Sequence, residues 1–242
     1  MHYSIRGLLL PIGRLPLIEM IRRLDCTLPT PEDNLALDVS LLRNIEESDD
    51  SCNPVEILRF WQSPQYFVVL GHSGRAVQEV HLEACKSASV PVLRRVSGGG
   101  PVLLGPGCLN FALALSLQTH PELREIRRSW RAILDALTRA LGLPGVCAAG
   151  ISDLVVAGKK FSGNAQRRTR HALLHQGTVL YDFDISRVSK FIKEPIQQPS
   201  YRALRSHGEF LCNLPLSVGQ IKDRISQVWQ SKTSPEPEQL DS

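Results

Sequence analysis

Hydrophobic positions along the chain follow different periods in different segments, and each period predicts a secondary-structure element. Apolar residues recur at helical spacing through residues 35–45 and again through residues 130–141, so both segments are predicted helices. Gly142 and Pro144 follow the second segment and predict its end. Through residues 109–117, large apolar residues occupy every second position, which predicts a strand with one buried face. The two periods together indicate a mixed α/β fold.

Shorter apolar runs predict further strands. Residues 66–71, 90–95 and 173–181 are rich in β-branched, aromatic or other large apolar side chains. Ala157 and Gly158 separate two short strand-like runs, which predicts a hairpin turn at this point.

The remaining segments predict a loop, a last helix and a tail. Residues 46–53 are acidic and polar, and we expect a loop there. Ser217 and Gln220 have the spacing of a capping box, which predicts the start of a helix. Residues 231–242 are polar and contain proline, which predicts a disordered tail.

Two glycine-rich segments, about sixty residues apart, carry the candidate chemistry. Residues 94–100 read Arg-Arg-Val-Ser-Gly-Gly-Gly, and residues 158–166 read Gly-Lys-Lys-Phe-Ser-Gly-Asn-Ala-Gln. Consecutive glycines let backbone N–H groups approach a carboxylate or a phosphate without interference from Cβ atoms. A lysine beside a Ser-Gly turn supplies a compensating positive charge. The two segments are therefore predicted to be the halves of one site for an anionic ligand.

The lysine pair in the second segment raises the question of which lysine enters that site. On an extended segment, neighbouring side chains face opposite sides. Lys159 and Lys160 are therefore not expected to enter the same pocket, and the alternation alone leaves the choice open.

The two segments, in this order and within strand-like sequence, resemble the catalytic domain shared by lipoate-protein ligase A, the octanoyl and lipoyl transferases and, more distantly, biotin-protein ligase. The resemblance spans residues 34–215. Its most specific part starts with Asp-Leu-Val-Val at residues 153–156. It continues with Gly-Lys-Lys-Phe-Ser-Gly-Asn-Ala at 158–165 and His-Gln-Gly-Thr-Val-Leu at 175–180. These runs are similar to the ligase patterns Asp-Leu-x-Val, Gly-x-Lys-x-Ser-Gly-x-Ala and His-His-Gly-Thr-Leu-Leu.

This resemblance implies a fold and a domain layout. The implied fold is α/β in the broad α+β sense, with mixed, largely antiparallel β-sheets flanked by helices. The implied catalytic domain covers residues 31–230, after an N-terminal extension at 1–30 and before the tail at 231–242.

The resemblance also implies the site residues. By its match, Lys160 takes the position of the catalytic lysine, and Asp153 is expected to hold Mg²⁺ or to orient that lysine. Gly71 and Val102 are expected near the acyl channel, and His175 beside Gln176 in the acyl-adenylate pocket. The full implied substrate and adenylate site is Gly71, Arg95, Ser97, Gly98, Gly99, Gly100, Val102, Asp153, Ser162, Gly163, Ala165, His175, Gly177 and Thr178.

The activity implied by the resemblance is protein lipoylation. Lipoate or octanoate would react with ATP, with Mg²⁺ present, to give an acyl-adenylate, and a lysine of a lipoyl domain would then take the acyl group. The expected acceptors are lipoyl domains of 2-oxoacid dehydrogenases or the glycine cleavage H protein. Lys160 is assigned the role of offsetting negative charge in both steps.

Departures from the ligase pattern keep two alternatives open. After the glycine triplet, ligases usually show His-Asp and Gly-Asn, whereas residues 101–108 read Pro-Val-Leu-Leu-Gly-Pro-Gly-Cys. One alternative is an ATP-independent transferase that takes the acyl group from an acyl carrier protein onto Cys147, which the sequence places on a loop before Asp153. Leu173 stands where another transferase subtype has its cysteine, which disfavours that subtype. The second alternative is a non-catalytic protein that binds an acyl-adenylate or a lipoyl domain.

Composition excludes several classes of protein. The chain has 242 residues and a formal net charge of +4, enough for one substantial core and too mildly basic to require nucleic-acid binding. The six cysteines show no CxxC pair and no metal-ligand spacing. No apolar run reaches the roughly 18 residues of a membrane span. We expect a cytoplasmic enzyme domain that does not bind membranes, with an accessory subunit as a further expectation if it is a ligase.

Overall fold

The computed structural model describes residues 21–48 and 54–229. The predicted tail at 231–242, most of the predicted loop at 46–53 and the first twenty residues of the predicted N-terminal extension lie outside the described residues. Among the described residues, no helix is both long and apolar enough to cross a membrane.

Seven strands form the main sheet, in the order β1-β2-β6-β10-β9-β8-β7. Only the β1–β2 pair is parallel within the described part of this sheet, so the sheet is largely antiparallel, which confirms the predicted fold class. The strand β1 belongs to the segment predicted as an extension. The strands are β1 Ile21–Asp25, β2 Glu56–Trp61, β6 Cys108–Ser116, β7 Val146–Ala149, β8 Asp153–Val156, β9 Lys159–Arg168 and β10 Ala172–Leu180.

A smaller sheet carries the first glycine-rich segment. It has the order β4-β3-β5, with β3 at Phe67–Leu70, β4 at Val92–Arg94 and β5 at Val102–Leu104. Residues 95–101, called the Gly loop below, connect β4 to β5. The loop therefore leaves one edge strand of this sheet and returns on the other.

Helix α1 (Pro31–Glu46) packs on one face of the main sheet, and α4 (Ile126–Leu141) and α7 (Val218–Trp229) pack on the other. The shorter helices are α2 Ala76–Glu79, α3 Leu82–Ser87, α5 Val188–Phe191 and α6 His207–Phe210. Helix α4 ends at Gly142, which has φ 59° as its C-cap. Ser217 and Gln220 exchange the two hydrogen bonds of a capping box before α7, as the sequence predicted.

The central strand β6 corrects one prediction. The alternation in residues 109–117 predicted one buried face, yet every residue of β6 is buried. The large side chains, such as Phe111 and Leu113, join the core with α4 and α7. The small ones, Ala112 and Ala114, pack under α1. Alternation here separates large from small side chains, because a helix lies on each face.

The predicted hairpin joins β8 to β9. Ala157 and Gly158 form the turn, both with positive φ. A register shift between Leu154 and Val155 then brings Val155 opposite Lys160. This irregularity decides which side chains of β9 share the face of Asp153.

Candidate functional site

A cavity opens where the Gly loop faces strands β8, β9 and β10. Both glycine-rich segments contribute to its lining. The predicted site residues that line it are Arg95, Gly99, Gly100, Val102, Asp153, Lys160, Gly163, Ala165, Gly177 and Thr178. Leu35, Val102 and Leu104 give the cavity an apolar part, and Asp38, Arg95, Asp153 and Lys160 give it charged groups.

The two lysines lie on opposite sides of β9, as the alternation predicted. Lys160 lines the cavity, and its Nζ lies 2.8 Å from Oδ1 of Asp153. Lys159 is exposed and does not line the cavity. The choice between them, which spacing alone left open, agrees with the resemblance.

Gly163 leaves the space that the lysine head occupies. A Cβ atom at this position would lie 3.0 Å from Lys160 Nζ and 3.1 Å from its Cε. Any larger residue at 163 would push the ammonium group away from Asp153. Ser162 and Gly163 lie within strand β9 and not in the turn that the sequence predicted, and the glycine acts by its lack of a side chain.

Asp153 is buried and has both oxygens engaged. Oδ1 contacts Lys160, while Oδ2 accepts a 2.6 Å hydrogen bond from the hydroxyl of Tyr201. Burial and the nearby carboxylate raise the pKa of Tyr201, so its hydroxyl keeps its proton and donates. Tyr201 is 48 residues away in sequence, and the sequence analysis did not predict its contact with Asp153.

The Gly loop presents donors, and Arg95 shapes it. The Nη2 group of Arg95 donates to the carbonyl oxygens of Gly98 and Gly100, at 2.6 and 3.0 Å. Among the described residues, the N–H groups of residues 98–100 have no hydrogen-bond partner. Because the loop's carbonyls are held by the guanidinium, these N–H groups are available to an anion.

Arg95 is itself a partly buried cation at the cavity wall. Burial lowers the pKa of its guanidinium to about 10, against the opposing effect of Glu79, so it stays charged at neutral pH. Its Nε is buried and finds no hydrogen-bond partner in the described part of the chain. A buried, unpaired donor on a cation favours an anionic ligand here.

Gly71 supports the Gly loop from behind and does not line the cavity. A Cβ at this position would come within 2.0 Å of the carbonyl oxygen of Gly99. The absence of a side chain at 71 therefore lets the loop lie against the end of β3.

A buried polar network, which the sequence analysis missed, ties Ser97 to helix α1. Ser97 donates to Gln176, Gln176 donates to Asp38, and Asp38 forms a 2.6 Å ion pair with Arg59. Burial raises the pKa of the Asp38 carboxyl, although Arg59 and Gln176 oppose it. A signal was present, because Asp38 lies on the apolar stripe of α1 and Arg59 interrupts an apolar strand.

Ser162 and His175 do not line the cavity, which corrects the expectation for His175. Its side chain is fully buried between the rings of Phe111 and Trp130, and its nitrogens contact Gln166 and Asn164. Burial lowers the pKa of His175 to about 3. Side chains alternate along β10, so Gln176 rather than His175 faces the site.

Ser162 is also buried, and its hydroxyl accepts a hydrogen bond from Asn164 Nδ2 at 3.2 Å. Gly98 is exposed in the Gly loop beside the residues that line the cavity. Ser162 and Gly98 therefore lie next to the cavity-lining residues and do not line the cavity themselves.

Cys147 lies on strand β7, where the sequence had predicted a loop. It is exposed, pairs with Val155 in the sheet, and does not line the cavity. Val155 in turn pairs with Lys160, so Cys147 is two strands from the lysine. Cys108 is also removed from chemistry, since burial raises the pKa of its thiol to about 12.

The residues present do not fit a protein-built metal centre. Among the described residues, no group of three or more His, Cys, Asp or Glu side chains could hold a metal ion. Asp153, the predicted ligand, already gives one oxygen to Lys160 and the other to Tyr201. Binding Mg²⁺ through Asp153 would place the ion close to the ammonium group of Lys160, which lies 2.8 Å from Oδ1.

A second cavity adjoins the first and shares Leu35, Arg95 and Gln176 with it. The volumes are about 150 Å³ for the first and about 270 Å³ for the second. Each is smaller than the roughly 300 Å³ usual for a small-molecule site. The donors and the apolar side chains around the first cavity suit a ligand with an anionic part and an apolar part.

Comparison with known proteins agrees with this geometry. The chain is 28% identical over 202 residues to the lipoate–protein ligase of Streptococcus pyogenes, covering 82% of this chain and 54% of that protein. In general, the chain spans about half the length of the curated relatives it matches.

Solved structures share the fold. The bi-partite lipoate protein ligase of Thermoplasma acidophilum, described with its E2 lipoyl domain, superposes with a TM-score of 0.72 at 24% identity, covering 87% of this chain and 82% of that one. A lipoate-protein ligase A bound with ATP gives a TM-score of 0.71 at 23% identity, covering 87% of this chain and 84% of that one.

The family model described as the lipoyl protein ligase A/B catalytic domain matches residues 30–230, which include both glycine-rich segments and the cavity between them. The chain therefore belongs to the lipoyl protein ligase A/B catalytic domain family.

Proposed function

We propose that this protein is a lipoate-protein ligase that joins lipoate or octanoate to a lysine of a lipoyl domain through an acyl-adenylate. The observation that carries the proposal is Lys160, whose ammonium group reaches a cavity already lined by Arg95 and by free N–H groups of the Gly loop. Such a concentration of donors suits two anions that must approach each other. The ligase names of the relatives and the ATP-bound structure of similar fold support the same activity.

In the first step, a carboxylate oxygen attacks the α-phosphorus of ATP, the P–O bond to pyrophosphate breaks, and an acyl-adenylate forms. Both reactants are anionic, so their approach is opposed by charge repulsion. Lys160 lowers that repulsion from one side, and the N–H groups of Gly99 and Gly100 from the other. Arg95 keeps the Gly loop in the shape that presents these groups.

In the second step, the amine of the acceptor lysine attacks the acyl carbonyl, an amide forms, AMP leaves, and the amine loses a proton. Negative charge develops on the carbonyl oxygen during the attack. Lys160 is positioned to stabilise it, because the same cavity holds both the adenylate and the acyl group. The apolar wall at Leu35, Val102 and Leu104 would take the acyl chain, at about 0.8 kcal/mol for each buried methylene.

The acceptors proposed are lipoyl domains of 2-oxoacid dehydrogenases and the glycine cleavage H protein, with a cytoplasmic location. An accessory subunit is proposed as a further partner, and the similarity of fold to a bi-partite lipoate protein ligase supports this proposal. Mg²⁺ would enter with the phosphates of ATP, and no step of the mechanism relies on a protein ligand to it.

A mass-spectrometric assay tests the function. A purified lipoyl domain is incubated with the protein and either lipoate, ATP and Mg²⁺, or octanoyl-carrier protein without ATP. The proposal expects a mass increase of the domain only with ATP, and the same increase with Cys147→Ser. Modification without ATP that Cys147→Ser abolishes would support the thioester transferase, and no modification under either condition would support a binding protein.

A further inference from the structure

Asp153 contacts two side chains, and the proposed mechanism gives a role to only one of them. Lys160, on Oδ1 at 2.8 Å, has the role described above, while Tyr201, on Oδ2 at 2.6 Å, has none. The Asp153 side chain is 12% exposed, so the orientation of its carboxylate depends on these two partners. Ser152 Oγ lies farther away, at 3.5 Å from Oδ1.

Contacts other than Asp153 also hold Tyr201. The Nη2 group of Arg205 donates to the carbonyl oxygens of Tyr201 and Gly158, so it joins the tyrosine to the β8–β9 turn. The Tyr201 ring packs against Gly150, where a Cβ would lie 3.4 Å from its Cε1. The ring centroid of Phe210 lies 5.3 Å away on another side. The hydroxyl is therefore directed at Asp153 by a fixed ring.

The backbone that follows Tyr201 is strained. Ala203 and Leu204 have φ values of 51° and 58°, in the left-handed region that is unfavourable for a non-glycine residue. Buried Arg202, paired with Glu194, holds the segment in this shape. Strain of this kind persists where surrounding contacts impose it, and it is concentrated at functional sites.

The Tyr201 contact limits how Asp153 can hold the lysine. An aspartate with both oxygens free can turn either or both of them toward an ammonium group, which tightens the pair. Tyr201 donates to Oδ2, while the nearest contact of Lys160 is with Oδ1, and the Tyr201 hydrogen bond draws negative charge away from the carboxylate. Of its three N–H donors, only the one facing Asp153 has a partner among the described residues.

We propose that Tyr201 is a positioning residue for the reaction: its hydroxyl occupies Oδ2 of Asp153, so that Asp153 holds Lys160 through Oδ1 alone and leaves the remaining N–H donors to the anionic substrate. This role rests on the ligase function proposed above. It also makes a claim about the lysine itself, which is testable without any turnover.

The test compares Tyr201→Phe with Tyr181→Phe. Tyr181 is a matched control, because its hydroxyl makes a hydrogen bond of the same 2.6 Å length to Gln62 and it does not line the cavity. Each variant is treated briefly with an amine-acylating reagent at fixed pH, and labelling of Lys160 is measured by mass spectrometry relative to its exposed neighbour Lys159. Thermal unfolding is recorded for each variant.

We expect labelling of Lys160 relative to Lys159 to fall several-fold in Tyr201→Phe, because both Asp153 oxygens become available to the ammonium group. In Tyr181→Phe the ratio stays unchanged. An unchanged ratio in Tyr201→Phe would overturn the proposal whatever the protein's activity, so this outcome is separate from a failure of the proposed ligase function.

Turnover gives the second readout. In Tyr201→Phe, kcat for acyl-adenylate formation should fall about 10- to 100-fold, the size of one hydrogen bond to a charged group, while KM for ATP and lipoate changes less than twofold. Tyr181→Phe should change neither constant. A fall in kcat that follows a lower Tm, with the Lys160 labelling ratio unchanged, would show a merely structural role and overturn the proposal.

Discussion

Two carboxylate–cation pairs of similar length lie near the Gly loop, and they differ in what their cations can still do. Asp38 and Arg59 are 2.6 Å apart with side chains 2% and 0% exposed, whereas Asp153 and Lys160 are 2.8 Å apart with side chains 12% and 25% exposed. Arg59 gives its other donors to Asn34 and to the carbonyl oxygen of Cys26.

The difference separates a structural pair from a chemical one. The hydrogen bonds of the Arg59 guanidinium join β2 to α1 and to the chain before α1. Among the described residues, the ammonium group of Lys160 pairs with Asp153 alone, and it faces a cavity. An ion pair is a candidate for catalysis when its cation keeps donors that a ligand can reach, and its distance alone does not reveal this.

The largest expected effect is on activity, at the second pair. Lys160→Ala should lower the rate of lipoyl-domain modification at least about 10³-fold, because no other ammonium group enters the described cavity at that point. Lys159→Ala is the matched control and should stay within twofold of wild type. The rates are measured by mass spectrometry, and Tm should change by less than about 2 °C in both. If Lys160→Ala kept more than a tenth of the wild-type rate, the Asp153–Lys160 pair could no longer be called catalytic in contrast to the Asp38–Arg59 pair.

The next effect is on stability, at the first pair. Arg59→Met leaves the Asp38 carboxylate buried without its cation, and should lower the free energy of unfolding by about 3–5 kcal/mol. The double variant Arg59→Met with Asp38→Leu should recover most of that loss, since no charge remains buried. Urea unfolding measures both. A loss below about 1 kcal/mol in the single variant would mean that the pair does not hold the fold.

His175 tests what burial does to a titratable group that has no opposite charge beside it. Its pKa is lowered to about 3 in the folded protein, so below the unfolded value near 6.5 only the unfolded state takes up the proton. The contribution of His175 to the free energy of unfolding is therefore fully present above about pH 6.5 and decreases as pH falls below that value. Between pH 7 and pH 5, wild type should lose about 2 kcal/mol more than His175→Gln. Parallel pH curves for the two proteins would contradict the assignment of a neutral, buried imidazole.

The smallest expected effect is at Cys147. Its substitution tests whether acyl transfer depends on the Asp153–Lys160 pair or on a thiol. Cys147→Ser should change the ATP-dependent rate less than twofold, because the thiol is exposed on β7 and does not line the cavity. A loss of more than about 100-fold would favour the thioester mechanism over the ligase.

Local patterns in the sequence predicted α1, α4, α7 and the β8–β9 hairpin, since each depends on spacing within a short segment. The largely antiparallel sheet was implied by the family resemblance. The burial of β6 on both faces was not predicted, because alternation of large and small apolar residues has the same period as alternation of apolar and polar ones. Which layer covers a strand is decided by distant segments, here α1 on one face and α4 with α7 on the other.

Site contacts between residues of one sequence motif could be predicted. Contacts between residues that are far apart in sequence could not. Lys160, Gly163 and Asp153 lie within eleven residues and were found by their match to a known motif. Tyr201 and Asp38 reach the site through tertiary contacts across 48 and 138 residues. His175 was misplaced by one step of strand alternation, which turns a side chain to the opposite face of the sheet.

The most direct test of the central claim is lipoate-dependent exchange of labelled pyrophosphate into ATP, measured with wild type and with Lys160→Ala in the absence of any lipoyl domain. Exchange reports formation of the acyl-adenylate alone. The account predicts exchange with wild type that requires lipoate and disappears in Lys160→Ala. Wild-type protein that modifies a lipoyl domain without catalysing exchange, or Lys160→Ala that exchanges at the wild-type rate, would contradict it.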